Sequence, residues 1–244
     1  MYNNSSIEWT NIAHSFWVGN HIISSGSKNK NIKGNKIKKM PASKFYKPQE
    51  MEMPKRILTC PYSDFFIEEA DLWRPAAWKV IKNTPQHTWV IITERPERIK
   101  KNLPPDWGEY YPNVVFGVSI SEQMYFDRAE ILSKVPVKTR LIYASPLLEH
   151  LNLLESRNGK RIIDSFDWVI LEGESSNLIK LNENRLSKLT WFEEIIFELK
   201  MNTKVAVFVI GLGIRLSKKL GYIEKNGCLI NEWPVYVQFR EIPN

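Results

Sequence analysis

With 244 residues, of which 43% are hydrophobic and 12% aromatic, the chain is long enough to bury one sizeable core, and one βα barrel of this length lies within the usual range. The amino terminus lacks the basic start and apolar run of a secretory signal, and no stretch approaches the roughly 18 apolar residues that a membrane span needs. We therefore expect a cytoplasmic protein that does not enter a membrane.

The formal charge of +7 is concentrated in one segment of the chain. Residues 28–56 hold ten Lys or Arg against Glu50 and Glu52, so the rest of the chain is close to neutral. Lysines interleaved with Phe45 and Tyr46 suit phosphate contacts and base stacking, whereas like charges and few apolar residues also predict a solvated, disordered arm. We expect residues 28–47 to be mobile and to bind polyanions weakly. The nucleic-acid candidates are Lys28, Lys33, Lys36, Lys38, Lys39, Lys44 and Lys47.

From Arg56 onward, short β-rich runs alternate with segments of helical period, the pattern of βα units around a parallel sheet. A helix is predicted from Arg74, with Ala77, Trp78 and Ile81 on one face. Ser121 is expected to cap the helix behind the third strand. Six strands are predicted, at residues 56–61, 87–93, 114–120, 140–144, 168–172 and 205–211.

Two further segments complete the predicted elements. The segment 147–161 is interpreted as a helix followed by a turn. Thr190 and Glu193 form a capping-box pattern ahead of an amphipathic helix. The buried face of that helix is predicted to consist of Phe192, Ile195, Ile196 and Leu199.

Six βα steps with nearly all-apolar strands are compatible with two α/β architectures. One is a partial parallel (β/α) barrel, and the other is an open doubly wound parallel sheet. The pattern alone does not choose between them. We divide the chain into an N-terminal segment, residues 1–55, and a barrel domain, residues 56–244.

Polar residues follow the predicted strands at the end where either architecture binds ligands. Strand-to-helix turns are also polar because they cap helices, so each residue alone has a structural explanation. Five of them, Asp64, Arg95, Ser119, Ser145 and Glu174, are expected to surround one cavity. The full set of pocket candidates is Ser63, Asp64, Thr93, Glu94, Arg95, Arg98, Ser119, Glu122, Ser145, Glu172, Glu174 and Ser175.

An ordered set of short motifs runs through nearly the whole chain. IEWT (Ile7–Thr10) and WVG (Trp17–Gly19) stand ahead of a loop with Gly19, Ser24 and Gly26. Later motifs are SDFF (63–66), PQHT (85–88), RPER (95–98), GVS (117–119), GES (173–175), EWP (232–234) and REIP (240–243). In this set the chain resembles the phage gene-product 37/gene-product 68 family, a three-cysteine family of unknown function that itself resembles the S-adenosylmethionine (AdoMet) radical barrels.

The resemblance implies a partial barrel with an iron–sulfur cluster loop over its mouth. The family's three cysteine positions fall on Asn20, Ser27 and Lys30, and a [4Fe–4S] cluster is held by thiolates, which these side chains do not supply. The two cysteines, Cys60 and Cys228, lack a CxxC context. We therefore expect no iron–sulfur cluster, no resident metal and no cofactor, while AdoMet or a nucleotide is left open as a ligand.

Further departures from the family lie at polar positions. Relatives carry lysine at Glu94, glutamate at Ser145, and lysine and glutamine at Ile210 and Gly211. Because the apolar strands and turn glycines persist, the resemblance implies a pseudoenzyme that keeps its barrel as a binding or partner module.

Two alternatives belong to other classes of function. One is an enzyme in which Asp64, Glu94, Glu172 and Glu174 hold a hard divalent ion. The other is a nucleic-acid-binding protein that uses residues 28–56. A protein partner is left open, and the sequence predicts no oligomeric state.

Overall fold

The chain folds around one parallel sheet. The computed structural model describes residues 9–19, 36–174, 186–224 and 227–243. The seven strands of this sheet are β1 (Ile12–His14), β2 (Arg56–Thr59), β3 (Thr88–Thr93), β4 (Val114–Ser119), β5 (Thr139–Ala144), β6 (Trp168–Glu172) and β7 (Ala206–Gly211).

The strands are ordered in space as they are in sequence, and every neighbouring pair is parallel. A doubly wound sheet reverses its order at a switch point, whereas this sheet winds in one direction and forms a half-barrel. The prediction of an α/β fold with a partial parallel barrel is confirmed at this level. All six predicted strands are present.

Strand β1 is the seventh strand, and it was not predicted from the sequence. It pairs with β2, with Ala13 opposite Leu58. It comes from the segment that we had placed before the barrel domain, so the sheet draws on both sides of the proposed boundary at residue 55. Three residues are too few to show the alternation that identifies a strand.

Helices cover one side of the sheet: α1 (Ala42–Phe45), α2 (Arg74–Lys82), α3 (Asp127–Ser133), α4 (Leu189–Asn202) and α5 (Ile214–Leu220). The predicted buried faces of α2 and α4 are confirmed. Both predicted caps are wrong: Phe126, not Ser121, precedes α3, and Thr190 lies inside α4 behind its N-cap residue Lys188. No helix in the described ranges is long and apolar enough to cross a membrane.

Single turns of 3₁₀ helix fill several connections: Lys47–Glu50, Glu68–Ala70, Pro96–Arg98, Lys100–Asn102, Gln123–Tyr125, Ile162–Ser165, Ile230–Glu232 and Val235–Val237. A short antiparallel pair joins Trp17–Val18 to Lys38–Lys39.

The segment between β5 and β6 contains a hairpin. Ser156–Arg157 pairs with Lys160–Arg161, and Asn158 and Gly159 between them have φ of 51° and 74°. Positive φ at both central residues is the requirement of a type I′ turn, so the predicted turn is confirmed. The helix predicted ahead of it is wrong, because the backbone there bonds to strand ends: the amide of Leu147 donates to the Glu172 carbonyl at 2.7 Å.

Each face of the sheet has its own apolar core. The outer face, which the helices cover, includes Ile91, Phe116 and Val169 together with Trp78 and Phe192 from the helices. The inner face of the half-barrel carries the residues of opposite alternation, which are Trp9, Val90, Ile92, Val115, Leu141, Trp168, Ile170, Phe208 and Ile210. Because side chains alternate along a strand, each predicted pocket residue on a strand can be assigned to one face.

Candidate functional site

The predicted pocket residues belong to several separate groups. Thr93 has the alternation of Ile91 and lies on the outer face, whereas Glu172 has the alternation of Ile170 and lies on the inner face. The carboxyl ends of the strands meet at one edge of the sheet, as expected. The polar side chains at this edge lie on two different faces of the sheet.

Asp64 and its hydrogen-bond partners connect the loop after β2 to the end of β3. Asp64 is fully buried, and its carboxylate accepts bonds from the Phe66 amide (2.7 Å), Thr93 Oγ1 (2.8 Å) and the Glu94 amide (2.9 Å). Arg95 Nη1 pairs with it at 3.1 Å. A buried carboxylate is tolerated when it is hydrogen-bonded and paired in this way. The arrangement therefore has a structural explanation.

Arg98 extends this network outward. Its Nε donates to the Phe66 carbonyl at 2.6 Å, and its two terminal nitrogens pair with Glu68 at 3.0 Å and Asp71 at 2.7 Å. Ser63, also predicted for the pocket, is fully buried, and within the described ranges its hydroxyl has no hydrogen-bond partner.

Arg128 in α3 connects two other predicted residues. It donates to the Ser119 carbonyl at 2.7 Å, lies 3.7 Å from the Glu94 carboxylate and stacks on the Tyr125 ring at 4.4 Å. Glu122 lies one residue before the 3₁₀ turn Gln123–Tyr125, and its carbonyl accepts the Tyr125 amide. These contacts hold the start of α3 against the end of β4.

A second carboxylate, Glu172, lies at the end of β6 on the inner face. Ser145 Oγ donates to its Oε2 at 2.6 Å, and the Tyr143 hydroxyl donates to the same oxygen at 3.0 Å. The other oxygen, Oε1, has no partner within the described part of the chain. Burial raises the pKa of Glu172, while the hydrogen bonds from Ser145 and Tyr143 oppose that shift. Tyr143, Ser145 and Glu172 are called the inner-face group below.

Aromatic rings lie beside the inner-face group. The ring of Trp9 is 5.7 Å from that of Tyr143 and 6.0 Å, edge to face, from that of Trp168. Trp9 is 1% exposed, and its indole Nε1 has no partner among the described residues. Sequence reasoning missed Trp9 and Tyr143, although Tyr143 has the alternation of Leu141 and Trp9 belongs to the IEWT motif.

Cys228 approaches this site from the C-terminal segment. The pKa of the Cys228 thiol is raised to about 11, mainly by burial and to a smaller extent by the negative charge of Glu172. The thiol is therefore neutral near pH 7 and is not a ready nucleophile.

Glu174 belongs to the start of α5. Its two carboxylate oxygens accept the amides of Arg215 (3.1 Å) and Ser187 (3.4 Å), and its carbonyl accepts the amide of Ile214. A carboxylate is favourable at a helix N-terminus, so Glu174 has a capping role. Gly173 beside it has no room for a side chain, since an added Cβ would lie 2.1 Å from the Leu212 carbonyl oxygen. Ser175 lies outside the described residues.

The four carboxylates proposed as divalent-metal ligands do not gather. Asp64 and Glu94 belong to outer-face networks, Glu172 to the inner face, and Glu174 to the start of α5. In the described ranges, no group of three or more His, Cys, Asp or Glu side chains is placed to hold a metal ion.

The residues present do not fit an iron–sulfur cluster. Asn20, Ser27 and Lys30 lie outside the described residues, but their side chains carry no thiol. Cys60 is fully buried in the outer-face core, and burial raises the pKa of its thiol to about 12. Cys228 is near Glu172 of the inner face, so the chain's two thiols are on different faces, and neither is a thiolate at neutral pH.

Two open cavities lie away from the predicted pocket residues. One, of about 880 Å³, is at the amino ends of β6 and β7, against Asp167, Lys204 and Glu241. The other, of about 540 Å³, lies beside α2, against Trp78, Lys82 and Tyr111. Asp64 and Ser145, two of the five residues expected to surround one cavity, lie on opposite faces of the sheet, so the expectation of a single cavity around all five is wrong.

Residues 36–47, the part of the basic segment that the structure describes, are folded. Ile37 and Phe45 are buried, and Phe45 packs on Phe16 with ring centroids 4.9 Å apart. The prediction of a mobile arm is therefore wrong for residues 36–47, because two apolar side chains anchor it. Phe45 is also unable to stack on a base. Lys28 and Lys33 lie outside the described residues.

Fold and site together define an α/β half-barrel protein with a polar group on its inner face. The chain belongs to a protein family of unknown function, DUF5131, whose model matches residues 4–209. That match begins before β1 and ends in β7, so the family unit includes the strand that lies ahead of residue 55. No curated protein and no solved structure matches the chain.

Proposed function

We propose that this chain is a non-catalytic binding module, a cluster-deficient relative of the phage gene-product 37/gene-product 68 proteins and, through them, of the AdoMet radical barrels. The sequential order of the parallel strands supports the barrel relationship. The donor chemistry of Asn20, Ser27 and Lys30 supports the loss of the cluster.

The observation that carries the proposal is the use of the altered positions for internal contacts. Ser145, in place of the relatives' glutamate, donates to Glu172 at 2.6 Å. Ile210, in place of lysine, is 4% exposed and packs in the inner-face core. Glu94, also in place of lysine, pairs with Arg128. Side chains that the resemblance assigns to ligand chemistry therefore stabilise the half-barrel instead.

Anaerobic reconstitution with iron and sulfide tests the loss of cluster chemistry. We expect the protein to remain colourless after desalting, because it lacks three thiolates in the cluster loop. The matched control is the triple variant Asn20→Cys, Ser27→Cys and Lys30→Cys, treated in parallel. A stoichiometric cluster spectrum from the unaltered chain would overturn the proposal, whereas colour from the triple variant alone would support it.

A second candidate function is polyanion binding by the basic segment. Lys36, Lys38, Lys39 and Lys44 are exposed on a segment that Ile37 and Phe45 anchor. Lys47, by contrast, is paired with Glu50 at 2.9 Å. Anchored lysines lose less entropy on binding phosphate than mobile ones would.

Fluorescence anisotropy with unrelated DNA and RNA duplexes over a salt series tests this function. If four lysines neutralise four phosphates, the log–log salt slope is about −4. Replacing the four by glutamine is expected to abolish binding. Replacing the exposed Lys100, Lys101, Lys218 and Lys219 by glutamine is the charge-matched control and is expected to retain most of it. Equal loss in both variants, or binding insensitive to salt, would contradict a site on this segment.

A further inference from the structure

Glu172 has one carboxylate oxygen committed to the protein and one available. Both hydroxyl donors, from Tyr143 and Ser145, bond to Oε2. Oε1 has no partner in the described part of the chain, and it is not sealed from solvent, since Glu172 is partly exposed. A carboxylate oriented by two donors on one oxygen presents the other in a fixed direction.

The surroundings of this carboxylate are aromatic, and the described residues supply it with no ion pair. Trp9, Tyr143 and Trp168 lie side by side on the inner face. Two cations lie nearby, and neither pairs with Glu172 in the described residues. Arg56 Nη1 donates to the Trp9 carbonyl at 2.9 Å while its guanidinium lies 5.8 Å from the Trp168 ring centroid, and Arg240 Nη2 donates to the Cys228 carbonyl at 3.0 Å. Cys228, the other titratable neighbour, has a neutral thiol at pH 7.

A second, independent observation also points to a ligand. The Trp9 indole N–H is buried and has no acceptor within the described ranges. An unsatisfied buried donor costs free energy of about 1–3 kcal/mol, so such groups are rare unless something bound completes them. Trp9 and Glu172 both lie on the inner face, and Tyr143 lies between them: its ring packs on Trp9 and its hydroxyl donates to Glu172.

We propose that the inner face binds an organic cation, an ammonium or guanidinium group carried on an apolar or planar body. Glu172 Oε1 accepts an N–H of the cation, and the partly exposed ring of Tyr143 contacts its body. The Trp9 N–H is available to an acceptor on the same ligand. This inference rests on the proposed binding function and names the ligand class for it.

Physical chemistry favours this class over neutral or anionic ligands. Burial disfavours the charge on Glu172, and an opposite charge within about 4–6 Å restores it. Tryptophan and tyrosine faces attract cations by about 0.5–2 kcal/mol. An anion would meet the carboxylate's own charge, and a neutral alcohol would leave that charge unpaired.

Calorimetry with two small probes tests the inference on the full chain. The cationic probe is 2-phenylethylammonium, and its neutral counterpart is 2-phenylethanol. We expect measurable binding of the ammonium and at least about tenfold weaker binding of the alcohol, a difference of about 1.4 kcal/mol. The indole N–H resonance of Trp9 is expected to shift on addition of the ammonium. Equal affinity for the two probes, or no binding of either, would overturn the inference.

Variants localise the effect to Glu172. Glu172→Gln removes the charge and keeps the shape, and it is expected to weaken ammonium binding by about tenfold or more. Glu172→Asp keeps the charge and serves if the glutamine variant does not fold; it is expected to bind weakly, because the carboxylate is withdrawn. Glu193→Gln, on an exposed position of α4, is the matched control. Unchanged affinity in Glu172→Gln would refute the site. Reconstitution with iron and sulfide measures cluster binding only, whereas calorimetry measures binding of the organic cation. Failure of the proposed function and failure of this inference are therefore distinguishable.

Discussion

At the scale of single residues, Asp64 and Glu172 show how similar sequence positions acquire different roles. Both follow apolar strands, and both were predicted as pocket residues. Asp64 accepts bonds from two amides, one hydroxyl and one guanidinium. Within the described ranges, Glu172 accepts two hydroxyl bonds, both at one oxygen. The sequence shows one carboxylate in the loop after β2 and another at the end of β6, but the number of donors that each accepts depends on contacts with distant parts of the chain.

Glu172 is expected to reduce stability at neutral pH. Burial raises the pKa of its carboxyl group above the value it has in the unfolded chain, about 4.3. Below both pKa values the group is protonated in either state and has no effect. As pH rises through this window the unfolded chain releases its proton first, so the folded state loses stability relative to the unfolded state.

Chemical denaturation of Glu172→Gln between about pH 4 and pH 7 measures this effect. The variant is expected to match the unaltered protein at the acid end and to have the higher free energy of unfolding at pH 7. Glu193→Gln is expected to show no such trend. A difference that is constant with pH, or that favours the unaltered protein as pH rises, would contradict the assignment. Higher stability together with weaker ammonium binding is the trade-off expected at a functional site.

At the scale of elements, long periodic segments were predictable, and short or tertiary-determined ones were not. The burial faces of α2 and α4 follow from helical spacing. The segment after β5 has helical leucine spacing, yet Leu147 and Leu148 donate their amides to the Glu172 and Ser121 carbonyls instead. Strand β1 has only three residues and gains its stability from pairing with β2. These two errors arose where long-range backbone hydrogen bonds overrode a local pattern.

Phe45 is expected to hold the basic segment in place. It is fully buried, packs on Phe16, and has Lys39 Nζ 4.9 Å from its ring centroid. Phe45→Ala is expected to lower the free energy of unfolding by about 3–5 kcal/mol, as for other buried phenylalanines. It is also expected to make residues 36–47 susceptible to limited proteolysis.

Met53→Ala is the control for this substitution, since Met53 is 70% exposed. A change within about 0.5 kcal/mol is expected there. Both measurements come from denaturant titration and a protease time course. If Phe45→Ala leaves stability and protease resistance unchanged, the segment is not anchored by this ring.

At the scale of the whole molecule, the parallel half-barrel was largely predictable from the sequence. The division of the polar side chains at its carboxyl edge between the two faces of the sheet was not. Continuous apolar runs separated by helical segments indicate parallel βα units. The polar residues after the strands were predicted to line one pocket. Thr93 and Glu172 lie on different faces because strand alternation depends on register, which the pattern of nearly all-apolar strands does not reveal.

Glu172 belongs to the predicted set as well as to the candidate site, and Ser145 was singled out as a departure from the family. Trp9 and Tyr143 were not, because each looks like an ordinary core aromatic until the pairing of β5 with β6 places Tyr143 beside Glu172. The proposed site therefore combines residues found by motif with residues found only by geometry.

Native mass spectrometry of the protein, isolated anaerobically from iron-replete cells, tests the central claim that this half-barrel binds ligands without a cluster. We predict the mass of the polypeptide alone, or that mass plus one organic molecule that is absent from Glu172→Gln isolated in the same way. A stoichiometric species heavier by four iron and four sulfur atoms would contradict the account.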